Sequence, residues 1–148
     1  MVKPEQKITQ NKSVKEIFDW SKKKILIAED VEANYKLLYS FLERTNAKIA
    51  WAKDGSQVIK MVDQDPNYDL ILMDINMPIM TGHQALEKLK EKGVDIPVIA
   101  QTAYETDDQR HEISDLGYSD YILKPITLEA LLQKIWTFDN RIFRSKFQ

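Results

Sequence analysis

In the run Leu70 to Gly82, LILMDINMPIMTG, four consecutive apolar residues lead directly into Asp74, and more apolar residues follow it. A carboxylate driven to the end of a buried strand is costly unless it is paired or bound to a metal, so the chain must hold partners for it. Other short apolar runs end in residues of the right kind. Ile25 to Ala28 leads into Glu29 and Asp30, Val98 to Ala100 into Gln101 and Thr102, and Tyr121 to Leu123 into Lys124. Three carboxylates brought together repel one another unless a divalent cation sits among them. An all-oxygen donor set of that charge suits Mg2+ or Mn2+, and Mg2+ keeps several waters while taking one or two carboxylates. Lys124 would add a fixed positive charge. Each residue alone has an ordinary explanation: Glu29-Asp30 as a solvated turn, Asp74 or Thr102 as a helix cap, Lys124 as a surface lysine. Their joint placement at successive strand ends points to a site.

The elements that must position these residues follow from the hydrophobic pattern. From Lys24 onward, short apolar runs (the four above and Ile49 to Trp51) alternate with segments of helical period at Ala33–Arg44, Gln57–Val62, Gln84–Glu91, Asp107–Leu116 and Leu128–Phe138. Short, nearly continuous apolar runs read as strands buried on both faces. Strand alternating with helix predicts an α/β fold, a doubly wound five-stranded parallel sheet with helices on both faces. In such a sheet the first, third and fourth strands are central neighbours with the fifth beside them, and ligands sit at the carboxyl ends. Asp54-Gly55 and Gly93 mark turns, Gly117 suits a helix C-cap, and Thr81 and Thr127 suit helix starts. The boundaries expected are a linker or appended short helix over residues 1–23, a domain over 24–138 and a tail over 139–148. Val14, Ile17 and Phe18 suit a short amphipathic turn or two in the first segment.

The bulk composition narrows the classes of function. The chain has 148 residues, 43% hydrophobic, enough for one domain with a substantial core. Lys and Arg number 21 against 23 Asp and Glu, a net charge of −2, so direct nucleic-acid contact is not expected. No cysteine is present, which removes disulfides, thiolate metal sites and cysteine nucleophiles, and a cytoplasmic location is expected. No run reaches the roughly 18 apolar residues of a membrane span, and direct membrane contact is not expected.

With these residues in order and spacing, the segment from Lys24 to Trp136 resembles the receiver domain of two-component response regulators. ILIAED carries the acidic pair, LILMDINMP with Gly82 eight residues after Asp74 the phosphoacceptor loop, VIAQTA the hydroxyl residue, and YILKP the switch aromatic, lysine and proline. AEDVEANYKLL and MDINMPIMTG are most similar to receivers of hybrid sensor histidine kinases. The resemblance implies a flavodoxin-like sheet in the order 2-1-3-4-5 and phosphorelay signalling, with Asp74 taking a phosphoryl group from a phosphohistidine. It implies Mg2+ bound directly by Asp30 and Asp74, through water by Glu29, and by the backbone carbonyl of Asn76. Thr102 would hydrogen-bond the phosphoryl group, Lys124 would neutralise it, Pro125 would be cis, and the small Ala103 would leave access. Tyr121 would rotate inward on phosphorylation, so that the fifth strand and the helices on either side of it in sequence report the state. Asn76 and Tyr104 would flank the approach of the hydrolytic water. Shielding by Tyr104 is expected to outweigh help from Asn76.

The partner expected is a histidine kinase or histidine phosphotransfer protein, with a phosphorylation-dependent dimer also open. The chain would be a phosphoacceptor signalling domain rather than an enzyme. About ten residues follow the last predicted helix, too few for a DNA-binding module, so output would pass through another protein or flanking domains. Two rival readings share the topology. An aspartyl-nucleophile phosphatase needs a second carboxylate two residues after the nucleophile, where this chain has Asn76. A flavodoxin-like electron carrier needs a phosphate cradle after the first strand, where Glu29 and Asp30 would repel the phosphate. His83 and His111 read as ordinary surface or partly packed histidines, and Trp136, Phe138, Phe143 and Phe147 as packing for the last helix.

Overall fold

The computed structural model describes residues 13–103 and 106–146, without the side chains of 15, 16 and 139–146. Among these residues the strands are β1 (Lys24–Ala28), β2 (Lys48–Ala52), β3 (Leu70–Asp74), β4 (Val98–Thr102) and β5 (Asp120–Leu123). All pair in parallel, in the order β2-β1-β3-β4-β5. The helices are α1 (Val14–Ile17), α2 (Glu32–Glu43), α3 (Gly55–Gln64), α4 (Gly82–Glu91), α5 (Asp107–Leu116) and α6 (Leu128–Lys146).

Successive strand residues point to opposite faces, which divides the apolar runs between two cores. Ile25, Ile27, Leu70, Leu72 and Ile99 meet Leu38 and Leu42 of α2 and Leu131, Leu132 and Ile135 of α6. Leu26, Ala28, Ile71, Met73, Val98 and Ala100 meet Val58 and Val62 of α3, Ala85, Leu86 and Leu89 of α4, and Ile113 of α5. Central β3 and β4 are buried along their whole length, which is why they read as apolar runs without alternation. Their pairing extends to Asp74 opposite Gln101, so site residues occupy the last rungs of the ladder instead of following it.

Several boundaries differ from the sequence expectation for identifiable reasons. Asp54-Gly55 is a helix start, not a free turn: the Asp54 side chain accepts from the Gln57 backbone N at 3.0 Å, so α3 begins two residues before Gln57. α6 continues past Phe138 to Lys146, since no glycine or proline occurs between 128 and 146 to stop it. The N-terminal segment, expected as a linker or an appended short helix, holds the short helix α1 and packs on the domain. Val14, Phe18 and Trp20 are buried in the core shared with α2 and α6, and the Trp20 backbone N donates to the Thr45 carbonyl at 2.7 Å. The expected helix start at Thr81 is present as a full capping box with Gln84, and Gly117 closes α5 at φ 98°.

Candidate functional site

At the carboxyl edge of the sheet, one carboxylate oxygen from each of Glu29, Asp30 and Asp74 lies within 4.8 Å of the others. Glu29 and Asp74 are buried, while Asp30 faces solvent. Lys124 reaches in from the end of β5, its Nζ 3.2 Å from Asp74 Oδ2 and 3.6 Å from Glu29 Oε2. Its backbone N donates to the Thr102 carbonyl at 2.8 Å, which prolongs the β4–β5 pairing to the lysine itself. The Lys124–Pro125 peptide is cis.

The two buried carboxylates are held differently. Asp74 Oδ1 accepts from the Asn76 backbone N at 3.2 Å, leaving Oδ2 to face Lys124. Glu29 Oε1 accepts from the Val31 backbone N at 3.2 Å and Asn34 Nδ2 at 3.3 Å, whereas Oε2 is buried without a hydrogen-bond donor. Burial, and next the charge of Asp74, raise the pKa of Glu29 above the ordinary carboxylate range, opposed by Lys124. Three carboxylates against one ammonium leave an excess of negative charge. The hard oxygen donors and the unsatisfied Glu29 oxygen fit a divalent cation.

The loop from β3 to α4 is clamped by two glycines. A Cβ on Gly82 would lie 2.4 Å from the Asp74 carbonyl oxygen, and one on Gly55 would lie 2.6 Å from that of Met80. Only residues without side chains permit these approaches, so the spacing of Gly82 from Asp74 is a packing requirement of the site. At the loop tip Ile79 adopts φ 67° and is 85% exposed, with the Met80 N donating to the Pro78 carbonyl at 2.6 Å. This is a tight γ-turn with an apolar side chain held out to solvent.

Of the remaining expected residues, Thr102 is buried at the end of β4, and Ala103 and Asn76 are exposed. Tyr121 is half-buried against the core under α5, opposite Ala100 in register, so it shares a sheet face with Thr102 two residues further on. The Lys134 Nζ sits 5.6 Å from the Tyr121 ring centroid. Tyr104, Phe147 and the Phe143 side chain lie outside the described residues. His83 is partly packed: Nδ1 is 2.9 Å from the Tyr118 hydroxyl and Nε2 3.8 Å from Glu112 Oε1. Burial foremost, then the charges of Asp74 and Glu112, push the Tyr118 phenol up.

Sequence reasoning gave no role to Asn34 or Trp51, and named Gln101 as a strand end without a partner. Trp51 Nε1 donates to the Glu29 carbonyl at 2.7 Å, and its ring stacks on Tyr35 at 4.1 Å with planes 2° apart. Gln101 is fully buried, with Nε2 3.5 Å from the Ala28 carbonyl and Oε1 unpartnered. The available signal for both was a side chain with hydrogen-bonding capacity at a strand's carboxyl end.

A family model described as the response regulator receiver domain matches residues 25–136. Hybrid signal transduction histidine kinase I of Dictyostelium discoideum is 37% identical over 122 residues, 77% of this chain and 7% of the kinase. Two-component response regulator 24 of Arabidopsis thaliana is 32% identical over 112 residues, 76% of this chain and 81% of the regulator. This chain thus spans a small part of the first relative and most of the second. Among solved structures, a Saccharomyces cerevisiae co-crystal of a histidine phosphotransfer signaling protein with the receiver domain of its downstream response regulator matches at TM-score 0.71. Identity there is 26%, covering 78% of this chain and 88% of that one.

Proposed function

The chain belongs to the response regulator receiver domain family, and on that premise we propose that Asp74 is its phosphoacceptor, charged from a phosphohistidine of a histidine kinase or histidine phosphotransfer protein. The observation that carries this reading is the convergence of Glu29, Asp30 and Asp74 within 4.8 Å, with Lys124 3.2 Å from the Asp74 carboxylate. Asp30, Asp74 and the Asn76 backbone carbonyl would hold Mg2+ (or Mn2+), with Glu29 supporting it through water. The cation would supply neutralisation of phosphoryl oxygen charge.

The chain's own residues do the rest. A loose phosphoryl-transfer transition state asks mainly for alignment, and the Asn76 N–H fixes one Asp74 oxygen while Lys124 faces the other. The P–N bond of the phosphohistidine breaks with its electron pair passing to the ring nitrogen, a P–O bond to Asp74 forms, and imidazole leaves neutral because the proton it keeps was already on its other ring nitrogen. Thr102 then hydrogen-bonds the phosphoryl group, reached past the small Ala103, and Tyr121 moves inward on the shared face, altering the surface of α5, β5 and α6. Exposed Val31, next to Asp30, and Ile79, five residues after Asp74, suit an apolar partner rim. The yeast complex of a receiver with a phosphotransfer protein supports that partner class.

We read the chain as a cytoplasmic phosphoacceptor module rather than a phosphatase, its functional unit running from Val14 to Phe138. No described helix is long and apolar enough to cross a membrane. Tyr104 would shield the phosphoryl group from water, so that Tyr104→Ala speeds dephosphorylation several-fold, about 1 kcal/mol in barrier. Incubation with Mg2+ and a small phosphodonor, then mass spectrometry of the acid-labile adduct, tests the central assignment. Labelling at Asp74 that is lost in Asp74→Asn is expected; full labelling of the variant refutes it.

A further inference from the structure

Asp30, the one exposed carboxylate of the cluster, owes its position to its backbone. The turn that carries it is held at three successive points, and one of them is on the Glu29–Asp30 peptide itself. The Glu29 backbone N donates to the Ala52 carbonyl at 3.0 Å, the last bond of the β1–β2 edge. The Glu29 side chain accepts from Val31 N beyond the turn. The Glu29 carbonyl, the oxygen of the Glu29–Asp30 peptide itself, accepts from Trp51 Nε1 at 2.7 Å, shorter than most N–H···O bonds. Strand pairing cannot supply that last bond, because the chain has already turned toward α2.

We propose that Trp51 is a positioning residue for the acidic site: its indole N–H fixes the Glu29–Asp30 peptide and so presents the Asp30 carboxylate to the cation. The indole is suited to the task because it is itself immobilised. Its plane lies 2° from that of Tyr35 at 4.1 Å, and Lys53 Nζ is 4.9 Å from its centroid. Tyr35 belongs to α2, the helix that follows the acidic pair, and Trp51 belongs to β2, so the stack ties the helix after the turn to the strand beside β1. A donor at the end of a rigid ring system sets the peptide plane more tightly than a solvent water would.

The inference rests on the reading of Glu29, Asp30 and Asp74 as a cation site, and the test separates the two. Free Mn2+ is titrated with the full chain and followed by electron paramagnetic resonance, which is independent of tryptophan emission. Trp51→Phe, which keeps a ring to stack and removes the N–H, is expected to weaken Mn2+ binding about three- to tenfold. Tyr35→Leu, which removes the stack and keeps the N–H, is expected to weaken it less. A benzothienyl analogue at position 51 alone, the same size without the N–H, should reproduce the phenylalanine result and serves if that variant folds poorly. Wild-type affinity in both position-51 variants overturns the proposal, as does an equal loss in Tyr35→Leu. If Asp30→Asn binds Mn2+ as the wild type does, the cation-site reading itself fails and the proposal falls with it.

Discussion

At the scale of single residues, Glu29 carries an energetic conflict that a cation would resolve. It is buried, one of its oxygens lacks a donor, and its pKa is raised by burial and by Asp74. A carboxyl whose folded pKa exceeds its unfolded value binds more protons when folded, so stability falls as pH rises from the unfolded value near 4.5 through the folded one. In the metal-free protein, Glu29→Gln should therefore be more stable than wild type at neutral pH, and the advantage should vanish as the pH drops below about 4.5. Urea unfolding at a series of pH values checks this; a pH-independent difference contradicts it. With Mg2+ added, the order of loss should reflect contact. Asp30→Ala is expected to lose more Mg2+ affinity than Glu29→Ala, since a direct ligand contributes more than one acting through water. Calorimetric titration with equal affinity in wild type and Asp30→Ala contradicts that assignment.

At the scale of elements, the β3–α4 connection shows how the fold builds the site with little freedom left over. Gly82 lies against the carbonyl of Asp74, and its backbone N donates to the Ile75 carbonyl at 2.9 Å. The first turn of α4 is thus packed on the peptide of Asp74, the proposed phosphoacceptor. A methyl at position 82 has no space, so Gly82→Ala must displace either the helix or Asp74. Strain of this kind costs on the order of 1–3 kcal/mol, readable as a lower urea midpoint, and phosphorylation should slow as well because the carboxylate moves. Normal labelling with normal stability would show that the loop yields without consequence. Much of this level was legible in the sequence. Apolar runs located all the strands, and Thr81 and Gly117 marked helix ends, because caps and left-handed turns depend on local residue types. Asp54-Gly55 marks the boundary between β2 and α3, and that the pair also caps the helix shows only in the Asp54 side chain accepting from Gln57 N. The strand-end acids were legible as a group through order and spacing. Trp51, Asn34 and Gln101 were not, because their partners Glu29 and Ala28 lie 22, 5 and 73 positions away and no periodicity encodes such contacts.

At the scale of the whole molecule, the core on one face of the sheet is completed by a segment that its sequence presents as polar and peripheral. Residues 1–23 are rich in lysine, and a hydropathy reading sets the domain to begin at Lys24. The three-dimensional arrangement adds Val14, Phe18 and Trp20 to the core between α2 and α6, with the Phe18 and Trp20 rings 5.4 Å apart. The spacing of Val14, Ile17 and Phe18 showed a short amphipathic turn, but so short a pattern does not say what it packs on, and Trp20 lies outside it. Burial nevertheless makes their contribution large: removing a buried tryptophan side chain costs about 3–5 kcal/mol, a substantial share of the roughly 5–15 kcal/mol that holds a typical domain folded. Trp20→Ala is accordingly expected to lower stability by about that amount. Deletion of residues 1–23 should do more, since it also removes Val14 and Phe18 from the core and the Trp20 N–H to Thr45 bond. The comparison to make is circular dichroism of urea unfolding for the full chain, Trp20→Ala and the chain beginning at Lys24. Coincident midpoints for the full and shortened chains would restore the linker reading. A lost or strongly lowered transition in the shortened chain, with the phosphorylation site untouched, would make the N-terminal segment a structural part of the receiver, through which any attached domain would bear directly on its core.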